Sequence, residues 1–111
     1  MNYKQFIKLL GPKTAKVKLK PKIVKSKKFD KFTLETIEYN VEKNERVRSL
    51  LLLPHNIVKK VPAIICHHQH ASKYNIAKSE MAGLKGNNDL AYAKELAERG
   101  FVAFAPDSIA F

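Results

Sequence analysis

At 111 residues the chain has the length of one domain, and 45% hydrophobic against 28% charged residues reads as a soluble globular protein and excludes a disordered one. Its formal charge of +11 is concentrated in residues 1–31, where eleven lysines face one acid, Asp30, while the other ten cations and nine acids nearly cancel. Cys66 has no partner for an intramolecular disulfide, and Lys4 and Lys8 interrupt the first apolar run, so the composition predicts a cytoplasmic protein with no signal peptide and no membrane span.

These features divide the chain into a basic arm, residues 1–31, and a nearly neutral body, residues 32–111. Residues 2–10 predict a short amphipathic helix with Phe6, Ile7, Leu9 and Leu10 on one side, ended by Gly11-Pro12. Lysine alternation from Ala15 to Lys22, broken by Pro21, predicts an extended, exposed segment, and the basic character is assigned to the arm rather than to the fold. Residues 33–41 and 46–53 read as two strands joined by the polar turn Glu42-Lys43-Asn44-Glu45, an antiparallel hairpin. The run Val61–Cys66 is short and continuously apolar, and Phe101–Ala105 is another of the same kind. Between them a helix is capped at Asn87 or Asn88, lined by Leu90, Ala93, Leu96 and Ala97, and stopped by Gly100. Strand, helix and strand make a βαβ unit with parallel strands.

Strands without alternation belong in a sheet covered on both faces. One good helix and a weak one at the start do not supply two layers. The pattern therefore predicts an incomplete domain that leaves an apolar sheet face open and self-associates through it. A dimer that buries this face, or the arm folded over it, are the alternatives.

The ordered set of a hairpin, then PAIICHHQH, NNDLAYAKELAERG and FVAFAPD, resembles the opening of α/β-hydrolases of the dienelactone hydrolase and acetyl-xylan-esterase-like kind. The resemblance covers about residues 33–111, and AYAKELAERGFVAFAPD is its most specific piece. It implies an α/β fold: the N-terminal part of an α/β-hydrolase sheet, with an antiparallel hairpin followed by the βαβ unit. It also implies serine-type hydrolysis of a small-molecule ester or lactone by the full-length parent, without a cofactor. In that family the nucleophile sits on a strained G-x-S-x-G turn, and the acid and histidine follow it. None of Gly11, Gly83, Gly86 and Gly100 opens such a turn. No catalytic residue is therefore assigned, and the resemblance implies a truncated chain that is inactive alone. The loop after the first parallel strand supplies one oxyanion N–H in the family. Aligned from Pro62, His68 takes the place of the family histidine as a supporting residue, and Gln69 stands where glycine is usual. The donor candidates are the backbone N–H groups of Gln69 and His70. Residues 71–85 are then expected over the mouth of the site.

Other residues invite sharper readings. Ser108 follows a strand end, but Pro-Asp-Ser-Ile-Ala lacks the elbow's glycines and reads as a turn. Cys66, at the end of an apolar strand, reads as a buried inert thiol rather than a nucleophile. Asp107 is read as capping the turn that follows it. His68 and His70, two apart on an extended backbone, could face one ion, but no third or fourth ligand follows, so no metal is assigned. The alternative function rests on the arm. Eleven lysines interspersed with Tyr3, Phe6 and Phe29 suit nucleic acid or another acidic surface. The arm has no arginine and no helix-turn-helix or RNA-binding signature, so nucleic acid ranks below the hydrolase reading. Docking onto a separately encoded C-terminal half is a third possibility.

Overall fold

The computed structural model describes residues 1–67, 78–79, 82–84 and 91–107. In chain order they form α1 (Tyr3–Leu9), β1 (Lys22–Lys28), β2 (Phe32–Glu42), β3 (Glu45–Pro54), β4 (Ala63–Ile65), α2 (Tyr92–Glu98) and β5 (Val102–Pro106). The strands build one sheet in the order β1-β2-β3-β5-β4. The result is a small mixed α/β unit.

The expected N-terminal helix is present. Asn2 accepts a bond from the Gln5 N–H, and the Gln5 side chain accepts from the Asn2 N–H, a capping box that satisfies two otherwise orphaned donors. The helix buries none of its residues, and Phe6, Leu9 and Leu10 stay exposed. It forms on local hydrogen bonds rather than on packing.

The end of the arm departs from the sequence reading. Lys22–Lys28 is a sheet strand, paired antiparallel to β2, with a register shift between Ile23 and Lys25. All seven residues are exposed, which suits a lysine-rich edge that resists pairing with another copy. The positive charge is therefore part of the fold as well as of the arm. Apolar alternation is the usual signal of a strand, and here the irregularity after Ile23 and the lysines hide it.

The hairpin follows the expected outline. Leu34 pairs with Leu52, Thr36 with Leu50 and Asn40 with Arg46, and the chain reverses through Lys43-Asn44. Asn44 takes φ +61, a left-handed conformation that asparagine tolerates well. The βαβ unit is also present: β4 and β5 pair in parallel, Ile64 beside Ala103 and Ile65 beside Phe104, with α2 between them in sequence. β5 inserts between β3 and β4 and pairs antiparallel to β3, Leu50 opposite Ala105 and Leu52 opposite Ala103.

Partners across neighbouring strands share a face. Leu34, Leu50, Leu52, Ala103 and Ala105 thus form one side of the sheet, and all are buried. Ala93 and Ala97 of α2 belong to the same core, with Leu96 packed against it. Alanine on both sides of the contact lets the helix lie close to β5. Gly100 ends α2 at φ +97, its N–H donating to the Ala97 carbonyl and the Phe101 N–H to the Leu96 carbonyl, a complete Schellman closure.

The other side of the sheet is different. Leu51, Leu53, Val102 and Phe104 are only half-buried, and Ile65 is 64% exposed. Along β5 burial alternates, so burial on both faces, expected from the unbroken apolar run, is not what the strand has. Some of this face is closed over: the fully buried Ser49 hydroxyl donates to the Tyr39 hydroxyl, and the Tyr39 ring lies 6.1 Å from that of Phe104.

Candidate functional site

Parallel β4 and β5 end at the same edge of the sheet, and in open α/β sheets ligands bind beyond the carboxyl ends of the strands. His67 lies just past β4 and Asp107 just past β5. The Cys66 N–H donates to the Phe104 carbonyl at 2.7 Å, which carries the parallel pairing to the end of β4. Tyr92, the first residue of α2, donates its hydroxyl to the His67 carbonyl and so ties the start of the helix to the end of β4. The Asp107 N–H donates to the Arg48 carbonyl, which fixes the end of β5 against β3.

Two groups here were not singled out together by sequence. Lys78 pairs with the Asp107 carboxylate through Oδ2, and both side chains are largely shielded, at 15% and 12% exposure. Asp107 Oδ1 is buried without a hydrogen-bond partner. A buried carboxylate oxygen in that state is a ready acceptor for a donor group. Asp107 was expected to cap its own turn; instead its carboxylate is committed to an ion pair with a residue far away in sequence. Only the folded chain brings the two together.

Cys66 behaves as expected of a buried thiol. It is 2% exposed, its Sγ lies 3.7 Å from the Ile64 carbonyl, and burial pushes its pKa up. A thiol held protonated is a poor nucleophile. Burial also raises the Tyr92 hydroxyl, with nearby Cys66 adding to the shift, so Tyr92 remains a hydrogen-bond donor at neutral pH. His67 is exposed.

The oxyanion candidates Gln69 and His70 and the supporting His68 lie outside the described residues, as does Ser108. The expected cap residues Asn87 and Asn88 also lie outside them and do not start α2: its N-cap is Ala91, which has no side-chain oxygen and makes no side-chain cap bond. The described chain comes off the sheet at His67, on the same edge as Asp107. Among the described residues no three metal-ligating side chains come together, and no helix is long and apolar enough to cross a membrane. No family model, curated protein or solved structure matches the chain.

A second assembly lies along β3 toward the hairpin turn. The Asn40 N–H donates to the Leu19 carbonyl at 2.7 Å, and its side-chain amide donates to the Lys18 carbonyl at 3.0 Å. Arg46 donates to Asn40 Oδ1 at 2.7 Å and to the Lys20 carbonyl at 3.3 Å. Three successive carbonyls of the arm are thereby held by two residues of the hairpin. The segment expected to be extended and exposed is exposed at residues 18–22 and is also tied to the hairpin, and a groove of about 650 Å³ opens between the two segments. Two residues further along β3, Arg48 donates to Glu38 at 2.6 Å. The Arg48 guanidinium, through its hydrogen bond, holds the Glu38 carboxyl below its ordinary value against the opposing effect of desolvation, with Arg46 and Lys22 adding to the lowering.

Proposed function

We propose that this chain is the N-terminal portion of a serine-type α/β-hydrolase acting on a small-molecule ester or lactone, and that residues 1–111 do not hydrolyse esters alone. The observation that supports this reading most is the sheet: an antiparallel hairpin is continued by a parallel pair joined through α2, with β4 at the edge opposite β1 among the described residues. A parallel outer strand is a place where further βα units add. The half-exposed face of Leu51, Leu53, Phe104 and Ile65 is where a second helix layer would pack, and in its absence it would serve for self-association.

In this reading the chain contributes architecture and one oxyanion donor, the N–H of Gln69 or His70. A backbone N–H stabilises the oxygen that becomes negative in the tetrahedral intermediate, and it acts only where a nucleophile has attacked. The sequence contains no nucleophile elbow to make that attack. Asp107 stays an ion-pair partner of Lys78 rather than the acid of a triad.

The test is hydrolysis of p-nitrophenyl acetate by the chain alone and by a fusion to a family C-terminal half that carries elbow, acid and histidine. The chain alone should give the buffer rate and the fusion a serine-dependent rate. In the active fusion, Gln69→Pro or His70→Pro removes one N–H and should lower kcat on the order of 100-fold with little change in KM. Circular dichroism must first show that the variants fold. A folded fusion without activity, or a rate from the chain alone that survives Ser108→Ala with Cys66→Ala, overturns the proposal.

A further inference from the structure

The hairpin clamp on the arm makes one surface out of cations that are far apart in sequence. The groove between the two segments is lined by Lys18, Lys20, Lys43 and Arg46, with Glu42 as its single acid and Asn40 and Asn44 as neutral polar groups. Arg46 is occupied in holding Asn40 and the Lys20 carbonyl. Among the described residues Lys18, Lys20 and Lys43 make no ion pair, and all three are exposed. Lys20 sits at φ +42, a conformation that costs a non-glycine residue energy and is held here by the bond from Arg46 to its carbonyl. Lys22, Lys25 and Lys27 continue the row along β1, paired with Glu38, Thr36 and Leu34 and so on one face of the sheet.

We infer that this groove and the adjoining face of β1 bind the phosphate backbone of single-stranded nucleic acid, without reading its sequence. Lys18, Lys20 and Lys22, then Lys25 and Lys27, stand two residues apart, about 6–7 Å where the chain is extended. The turn at Lys20 and the register shift after Ile23 bend this row of cations, which suits a flexible polyanion. Flexible ammonium groups neutralise phosphates as point charges and do not need the planar fork that arginine offers. No aromatic side chain lines the groove, so it has contacts for the backbone and no platform on which bases stack. This activity is independent of the hydrolase reading. It also narrows the role of the arm: the clamped residues 17–20 and strand β1 form the surface, and α1 is not needed.

The experiment measures binding of a fluorescein-labelled dT oligonucleotide to the full chain by anisotropy across a salt series. Three variants decide the outcome. Lys18→Gln/Lys20→Gln/Lys43→Gln removes three cations and should weaken binding at least tenfold at low salt. It should also reduce the slope of log K against log salt by about 2, because each phosphate contact on a single strand contributes about 0.7. Asn40→Ala removes no charge but takes away the amide that holds the Lys18 carbonyl and the Oδ1 that anchors Arg46. It leaves only the backbone bond to Leu19 and the Arg46 contact with Lys20, so it should weaken binding several-fold if the clamp organises the site. Deleting residues 1–10 should leave binding near that of the full chain. An Asn40→Ala variant that folds and binds as tightly as the parent would show that the side-chain clamp does not organise the site and overturn the built groove. Equal affinity for a poly-glutamate peptide of the same charge would assign the surface to acidic proteins and overturn the nucleic-acid partner. Binding that persists undiminished at high salt or prefers one base sequence would also overturn it.

Discussion

Glu38 shows how much of the behaviour near the hairpin rests on single side chains. Arg48 donates to it directly, and Arg46 and Lys22 add positive potential, so its folded pKa lies below its unfolded one. A group with a depressed folded pKa contributes stability above its unfolded pKa and loses that contribution as pH falls through the folded value. Stability should therefore fall as the pH is taken through and below the ordinary glutamate range. Glu38→Gln should flatten that part of the curve while leaving the neutral-pH fold in place, as read by melting temperature against pH. The Glu38 side chain is partly exposed beside a surface arginine, so added salt should shrink the difference between the two proteins. A variant whose acid limb is unchanged would show that the other carboxylates govern acid unfolding. At the same scale, the clamp residues Asn40 and Arg46 act through backbone carbonyls of the arm rather than through partner side chains. That kind of contact leaves no trace in composition or charge.

Among the elements, α2 depends on its ending. The Gly100 N–H and the Phe101 N–H close the last turn only because Gly100 takes φ +97, and a Cβ there would meet nothing within 4 Å. Gly100→Ala should therefore cost about 1–2 kcal/mol, all of it from backbone conformation and none from collision. Chemical denaturation with an unchanged m-value is the measurement, and a neutral result would mean the closing turn adapts to alanine. This helix, the hairpin and the parallel pair were legible in the sequence because each has a local signature. Gly100 marks a helix end, Lys43-Asn44 marks a reversal, and the short apolar runs mark strands. β1 was not legible, since Lys22, Lys25, Lys27 and Lys28 replace the apolar alternation and its strand character comes from pairing with β2. Alternating burial along β5 was missed as well: its residues are apolar throughout, and only packing of α2 on one side distinguishes Ala103 from Phe104. The Lys78–Asp107 pair joins residues from separate elements and could not be read from either segment. The loop of His68, Gln69 and His70 was legible only through the family resemblance, and it lies outside the described residues.

For the molecule as a whole, the two faces of the sheet predict association. One face is closed by α2, and the other offers half-buried Leu51, Leu53 and Phe104 beside exposed Ile65. The purified chain should bind a hydrophobic dye under native conditions or sediment as more than a monomer, and Ile65→Glu with Leu53→Glu should reduce either signal. A dye-negative monomer with a sharp two-state melt would show that the face is satisfied within the chain. The strand order carries a further consequence, one of timing. Because β5 lies between β3 and β4, neither neighbour reaches its final place until residue 102 and those after it exist. On a ribosome adding roughly 5–20 residues per second, the hairpin emerges first and then waits on the order of several seconds with the backbone of Ser49–Leu52 unpaired on one side. During that interval the nascent chain presents a bare apolar strand edge to whatever surrounds the tunnel exit. The lysines guard the far edge at β1, so the hazard of mispairing falls on β3, and slower translation across residues 55–101 would lengthen it.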